Sequence, residues 1–283
     1  MLVSTEVLLN RARQGRYAVG AFNVYTIEGL RAVVQAAEQT VSPVILQMLP
    51  RAVAVSGSAL IAACLEACRS AAVPMSVHLD HCSCAETIEM ALTAGISSVM
   101  ADGSQQPYAE NLAFTRSIVK RAKACGKSVE AELGRLSGSE DGLTVAKRDA
   151  RLTDPGQAEA FVEATGVQAL AVCIGNVHGK YRTPPTLDFD RLASIADRVS
   201  VPLVLHGTSG LPDEMINRSV DLGVCKFNVN TELRNACLAA GAEYQSGTDN
   251  PELVERMEAE IEAMQAPVIS KINLFRSAGK ATQ

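Results

Sequence analysis

The sequence predicts an α/β protein: a (β/α)8 TIM barrel with an extra helical segment at its C-terminal end. Three observations carry that reading. Short β-branched or apolar runs alternate eight times with longer, Ala-rich amphipathic runs. The apolar mass is mainly Ala, Val, Leu and Ile, with few aromatics and no Trp, which suits parallel strands buried under helices. No long low-complexity linker interrupts the pattern, so the 283 residues are expected to form one domain over 1–283. The rival doubly wound sheet would carry a Gly-rich phosphate turn after its first strand, and Gly20-Ala21-Phe22-Asn23 does not supply one.

In chain order, strands are expected near 17–22, 43–48, 74–79, 97–101, 128–133, 168–174, 201–206 and 223–227. Helices are expected near 26–39, 57–72, 84–94, 107–125, 155–165, 187–198, 211–219 and 231–243. A further helical pattern begins near 251, where Glu252, Glu255, Glu258, Glu260 and Glu262 suit the positive end of a helix dipole. Pro267 is expected to end or kink it, with a shorter helical piece reaching about 275, and 277–283 are expected to fray. The connections 135–153 and 175–186 are long for this fold and follow strands that end in candidate site residues, so both read as functional lids.

Composition excludes some functions. The net charge is −5 and no basic run occurs, so there is no nucleic-acid footprint, whereas a phosphorylated small molecule needs only a few local donors. No apolar stretch reaches membrane-spanning length, and residues 1–16 carry Glu6, Arg11, Arg13 and Arg16 without a signal-peptide core. No membrane partner and a cytoplasmic location are expected. The eight cysteines read as reduced thiols, and Cys82-Ser83-Cys84 lacks the second pair of a zinc ribbon.

In a barrel the strand C-terminal ends open on one face, where active sites form. The polar residues at those ends are Asn23, His78, Asp80, His81, Asp102, Glu132, His178, His206, Ser209 and the run 228–231. All four histidines of the chain close β-like runs. His81, His178 and His206 come from three different strand ends and can surround one ion, leaving an open position as catalytic metal sites do. His78 and Asp80 share a strand face, while His81 must rely on the strand ending there. Asp80 can orient an imidazole or act as a general base, and spacing leaves both roles open. Gly179 and Gly207 each follow a histidine and allow close backbone approach to a ligand. The run 207–210, with Thr208 and Ser209, leads into a helical pattern that can bind phosphate, and Lys180, Arg182 and Arg234 are cations nearby.

Six motifs then carry a resemblance. His-Leu-Asp-His (78–81), Ser-Val-Met-Ala-Asp-Gly-Ser (98–104), Val-Glu-Ala-Glu-Leu-Gly (129–134), Gly-Asn-Val-His-Gly (175–179), Leu-His-Gly-Thr-Ser-Gly (205–210) and Lys-Phe-Asn-Val-Asn-Thr-Glu (226–232) resemble the class II, zinc-dependent ketose-bisphosphate aldolases, in order and over nearly the whole chain. The resemblance implies reversible cleavage of a ketose bisphosphate, such as the fructose or tagatose 1,6-bisphosphate, to dihydroxyacetone phosphate and an aldehyde. It implies Zn2+ held by His81, His178 and His206, with Glu132 at an alternative metal-contact position. Zinc would polarise the ketone and stabilise the enediolate. Asp80 matches the acid/base at the C4 hydroxyl, and Glu140 falls where the family protonates the enediolate carbon. Asn23, Gly179, Gly207, Ser209, Asn228 and Thr231 match positions that hold the dihydroxyacetone phosphate half. A monovalent cation (Na+ or K+) near that phosphate and a homodimer or homotetramer are also family features.

The other half of the substrate is where the sequence departs. Asn230 sits where fructose-specific members often have Asp and tagatose-specific ones often have Ala. The run 47–51 lacks a serine that many members place there for the distal phosphate, and Arg234, or less directly Arg51, stands in as the cation. Lys180 and the phrase 134–145 look most like a branch fused in plants to dehydrogenase-like and sugar-acid kinase-like domains. A non-glycolytic phosphorylated keto-sugar or sugar acid is therefore the alternative substrate. A metal-dependent hydrolase would need a His-x-His pair on the first strand, which ends instead in Asn23. A non-catalytic sugar-phosphate binder would be expected to have lost Asp80 or a ligand.

Overall fold

The computed structural model describes residues 1–140, 143–146, 150–179, 181 and 184–282. The chain begins with α1 (Thr5–Gly15), β1 (Val19–Asn23), α2 (Ile27–Gln39), β2 (Val44–Met48), α3 (Pro50–Ser56), α4 (Ser58–Ser70) and β3 (Met75–Cys82). It continues through α5 (Ala85–Thr93), β4 (Ser98–Ala101), α6 (Tyr108–Ala124), β5 (Ser128–Leu133), β6 (Ser137–Glu140), β7 (Leu143–Val145) and α7 (Pro155–Thr165). Then follow β8 (Ala169–Val172), β9 (Val177–His178), α8 (Phe189–Arg198), β10 (Leu203–Leu205), α9 (Asp213–Asp221), β11 (Val224–Val229), α10 (Thr231–Gly247) and α11 (Leu253–Leu274). Strands β1, β2, β3, β4, β5, β8, β10 and β11 close into a parallel barrel in that order, β11 pairing back on β1. The predicted barrel is therefore the observed one, each expected strand overlapping its counterpart.

Alternation along the strands divides the core in two. Phe22, Val44, Leu46, Val77, Leu79, Val99, Val129, Ala131 and Leu205 face outward and pack under the helices. Val19, Ala21, Ile45, Ala169, Ala171 and Val204 form a separate inner cluster with Leu8, Leu9, Ala12 and Tyr17. Helix α1 thus plugs the N-terminal end of the barrel, capped by Ser4 accepting from the Val7 amide at 3.1 Å. This helix was not foreseen from the sequence, nor was α3. The plug closes the end opposite the strand termini and leaves one open mouth.

Two expectations at the C-terminus are corrected. Pro267 neither ends nor breaks α11, which runs through it to Leu274. Interior proline costs a helix about 3 kcal/mol. Here Glu260, Met264, Val268 and Ile272, buried one turn apart, pack the helix on both sides of the proline. Nor do residues 277–282 fray. Ser277 is buried and its hydroxyl lies 2.9 Å from that of Ser42, while the Gly279 and Ala281 amides donate to Thr40 and Val41 carbonyls at 2.9 and 3.0 Å. Phe275 stacks on Phe227 of β11 with ring centroids 4.7 Å apart.

The two long connections carry strands of their own. They build one small sheet in the order β7-β6-β9, with Gly138 paired to His178.

Phe275→Ala should cost about 3–5 kcal/mol in urea denaturation. Leu238→Ala, at a position 66% exposed, should stay within about 0.5 kcal/mol. Equal midpoints for the two variants would contradict the docked tail.

Candidate active site

The site begins with a bulge in β3. Leu79 pairs with Val99 of β4, but the next matched pair is Cys82 with Ala101, so β3 spends one residue more than its neighbour. His81 takes up the excess in a left-handed conformation, φ 45°. In a regular strand Asp80 and His81 would face opposite sides; the bulge turns both toward the mouth. His178 arrives from β9, and His206 follows β10 directly. Gly207, φ 62°, passes so close to the β9 segment that a Cβ would lie 2.1 Å from the Val177 carbonyl oxygen. The rings of His81 and His178 are 4.9 Å apart, those of His81 and His206 4.6 Å, and those of His178 and His206 6.3 Å. One ring nitrogen from each lies within 4.8 Å of the others.

Carboxylates behind the rings fix which nitrogen faces the centre. His81 Nδ1 bonds Asp102 at 2.7 Å, and Asp102 accepts from the Ser104 amide and hydroxyl at 3.1 and 2.7 Å. His206 Nε2 bonds Glu130 at 2.9 Å. This leaves His81 Nε2 and His206 Nδ1 buried and without a hydrogen bond among the described residues. Glu132 brings Oε2 to 3.3 Å from His206 Nδ1, but without the alignment of a hydrogen bond. Burial lowers His178 to about 3 and takes His206 well below the usual imidazole range, helped by the charge on His81. Burial opposes charge on His81 too, but Asp80 and the Asp102 bond outweigh it and hold His81 well above its ordinary value. Burial and the neighbouring carboxylates Asp102, Glu130 and Asp80 raise Glu132 to about 8.

Asp80 is 2% exposed and accepts from Asn228 Nδ2 at 3.1 and 3.0 Å and from Gln47 Nε2 at 3.2 Å. Gln47 Nε2 also donates to Asn23 Oδ1 at 2.7 Å. One layer deeper lie His78, Glu130 and Lys226. His78 bonds Ser98 at 2.7 Å, and burial lowers it to about 3, so it is neutral. Ligand atoms of His78, Asp80 and Glu130 also cluster within 4.8 Å, but the Lys226 ammonium, 2.9 Å from Glu130, already supplies positive charge there.

The other predicted residues that are described lie at strand ends or in the segments that follow them. Gly179 follows β9 with φ 81°. The Thr208 hydroxyl donates to the Asn228 carbonyl at 2.9 Å, and the Ser209 hydroxyl bonds Glu232. Asn230 is the cap residue before α10, Thr231 its first residue, and Arg234 lies in its first turn. The Tyr25 hydroxyl donates to Asn230 Oδ1 at 2.8 Å. Glu140 ends β6, which pairs with the His178 segment because Gly138, φ 112°, leaves no Cβ to meet the His178 carbonyl oxygen at 2.1 Å. The Glu140 side chain, Lys180 and Arg182 lie outside the described residues. Gln47, Glu130 and Lys226 were not foreseen as site residues. The available signal was period two: Glu130 precedes Glu132, and Lys226 precedes Asn228 and Asn230, on faces already assigned to the interior.

Residues 3–280 match the family model described as fructose-bisphosphate aldolase class-II. The chain belongs to this family. It is similar to the YdjI aldolase of Escherichia coli K12, at 35% identity, with 99% of this chain and 100% of that one covered and a TM-score of 0.87. It is also similar to a candidate fructose-1,6-bisphosphate aldolase from Coccidioides immitis, at 36% identity, 98% coverage of both chains and a TM-score of 0.92. The fructose-bisphosphate aldolase of Campylobacter jejuni, 21% identical over 99% of this chain and 97% of that one, shares the fold with a TM-score of 0.81. This class II aldolase is thus a carbon–carbon lyase, and its three imidazoles fit the metal dependence general to the family. Among the described residues no single helix is long and apolar enough to cross a membrane.

The depressed His178 value has a sign in stability. Its folded value, about 3, lies below the ordinary 6.5, so the contribution is complete above 6.5 and lost as pH falls toward 3. In ion-free protein, the stability advantage of the native chain over His178→Gln should shrink between about pH 7 and pH 5. Urea midpoints of the pair measure it, and a widening difference on acidification would contradict neutral burial.

Proposed function

We propose that this aldolase catalyses zinc-dependent, reversible cleavage of a ketose bisphosphate, fructose 1,6-bisphosphate or tagatose 1,6-bisphosphate-like, to dihydroxyacetone phosphate and an aldehyde. The observation that carries the reading is the convergence of three imidazole nitrogens within 4.8 Å at the mouth. Asp80, next to His81 in the chain, lies close enough for its charge to act on all three rings. His81, His178 and His206 would hold the ion, with Glu132 as an alternative contact. When bound there, zinc supplies Lewis-acid polarisation of the substrate ketone.

The protein's own groups do the rest. Asp80, an acceptor fixed by Asn228 and Gln47, takes the C4 hydroxyl proton as the C3–C4 bond breaks and the aldehyde forms. Glu140, on the strand paired to the His178 segment, returns a proton to C3 of the three-carbon half. Asn23, Gly179, Gly207, Thr208, Ser209, Asn228 and Thr231 hold the dihydroxyacetone phosphate end, where backbone amides and a helix N-terminus favour an anion. A monovalent cation, Na+ or K+, belongs beside that phosphate. Arg182 and Arg234 serve the phosphate groups, and Asn230, held by the Tyr25 hydroxyl, reads the hydroxyl stereochemistry of the aldehyde half. A homodimer or homotetramer in the cytoplasm belongs to the same reading. Asn at position 230 leaves that stereochemistry open, and Lys180 with the phrase 134–145 supports a second substrate class, a non-glycolytic phosphorylated keto-sugar or sugar acid.

Release of dihydroxyacetone phosphate, followed by a coupled assay, tests the reaction. Chelation should abolish cleavage and added zinc restore it. Asp80→Ala should keep zinc and lose about 10²–10⁴-fold in kcat. Full turnover in zinc-free enzyme, or in Asp80→Ala, would sink the mechanism. A panel of ketose phosphates should show no overwhelming preference for the fructose substrate, and Asn230→Asp should move the ratio toward it; an unchanged ratio would remove Asn230 from specificity.

A further inference from the structure

Lys226 lies deep in the barrel with no exposed surface, on the inner face of β11. Its ammonium is 2.9 Å from Glu130 Oε2 and donates to Asn228 Oδ1 at 2.7 Å. Glu130 carries His206 Nε2 on its other oxygen at 2.9 Å, and Asn228 presents Nδ2 to both oxygens of Asp80. The lysine therefore stands where two arms meet, one leading to His206 and the other to Asp80.

The direction of every bond in these arms follows from donor and acceptor counts. An ammonium has donors and no acceptor, so only the carbonyl end of the Asn228 amide can face it. The amide nitrogen must then face Asp80, which receives hydrogen bonds and offers lone pairs, the arrangement of an ionised carboxylate. A reversed amide would put two acceptors against each other at Asp80 and two donors against each other at Lys226. On the other arm, the positive charge beside Glu130 keeps that carboxylate an acceptor for His206 Nε2–H, so His206 turns its Nδ1 lone pair to the centre.

We infer that Lys226 is a positioning residue for both halves of the site, locking the Asn228 amide so that Asp80 is presented as a proton acceptor and holding Glu130 as the orienting group of His206. The inference rests on Asp80 being the proton carrier. Lys226 touches no substrate atom in this account, so its removal acts on turnover more than on substrate affinity.

Two variants and one measurement on the native enzyme test it. Lys226→Met keeps the length of the side chain but removes the charge, leaving Glu130 buried and uncompensated. The double variant Lys226→Met, Glu130→Gln removes both charges and retains an oxygen acceptor for His206 Nε2–H. The expected result for the double variant is thermal stability close to native and bound zinc retained. Its kcat should be reduced about 10–100-fold, with KM within about threefold of native. Recovery of kcat together with stability would show that Lys226 only balances Glu130, and would overturn the inference. Asp80→Ala separates this from the reaction mechanism. If it loses turnover while the double variant keeps it, only the role of Lys226 fails; if it is fully active, the reading of Asp80 fails as well. Should neither lysine variant fold, a neutron structure of the native enzyme decides. Three deuterons on Lys226 Nζ and two on the Asn228 nitrogen facing Asp80 support the lock, and the opposite amide sense overturns it.

Discussion

The site depends on one extra residue in β3. Strand alternation allows either Asp80 or His81 to face the barrel interior, not both. The bulge between Leu79 and Cys82, with His81 in the left-handed region, removes that choice and puts a carboxylate and an imidazole side by side. Histidine tolerates positive φ better than most residues, and here the strained position is held by the ring's bond to Asp102 and by pairing on both sides of the bulge. The other two histidines need no such device, because each lies beyond the end of its barrel strand.

Beneath the mouth the barrel is filled in an unusual way. Small inward residues, Ala21, Ala169 and Ala171, leave room for a buried layer of His78, Glu130 and Lys226. Burying charge is costly, and breaking a buried pair by removing one partner costs about 3–5 kcal/mol. The arrangement is stable because Glu130 faces both Lys226 and His206, and His78 is neutral and bonded to Ser98. Ser98 in turn meets Thr5 of the plug helix at 2.6 Å. A continuous polar column thus joins the closed end of the barrel to the open one, and the helix that seals the bottom also anchors the base of the site.

Much of this was legible in the sequence. Eight strands and their helices follow from apolar periodicity, and the site face follows from barrel geometry once His81, His178 and His206 are seen to close strands. The misses have physical causes. Helix α1 buries only the short stripe Thr5, Leu8, Leu9 and Ala12 in a run otherwise rich in polar and charged residues, and the barrel end that this stripe fills is not displayed by the sequence. Pro267 misled because its local penalty is offset by a buried stripe on the same helix. The tail past Phe275 is held by backbone bonds from Gly279 and Ala281 to the turn after α2, by Ser277 on Ser42 and by Arg276 on Asp221 and Asn217, partners too distant in sequence to be seen before the fold is known. Glu130 and Lys226 were overlooked because charged residues within strands read as solvated until a partner across the barrel is known. The bulge could not be inferred, since period two is blind to an inserted residue.

In the proposed mechanism the bulged β3 end and two other strand ends make one ion site with Asp80 beside it. Anomalous diffraction at the zinc edge from crystals of the zinc-loaded enzyme tests it most directly. The account predicts a single strong peak bounded by His81 Nε2, His178 and His206 Nδ1, with Asp80 still bonded to Asn228. A peak in the deeper layer between His78 and Glu130, or none among the three imidazoles, would contradict it.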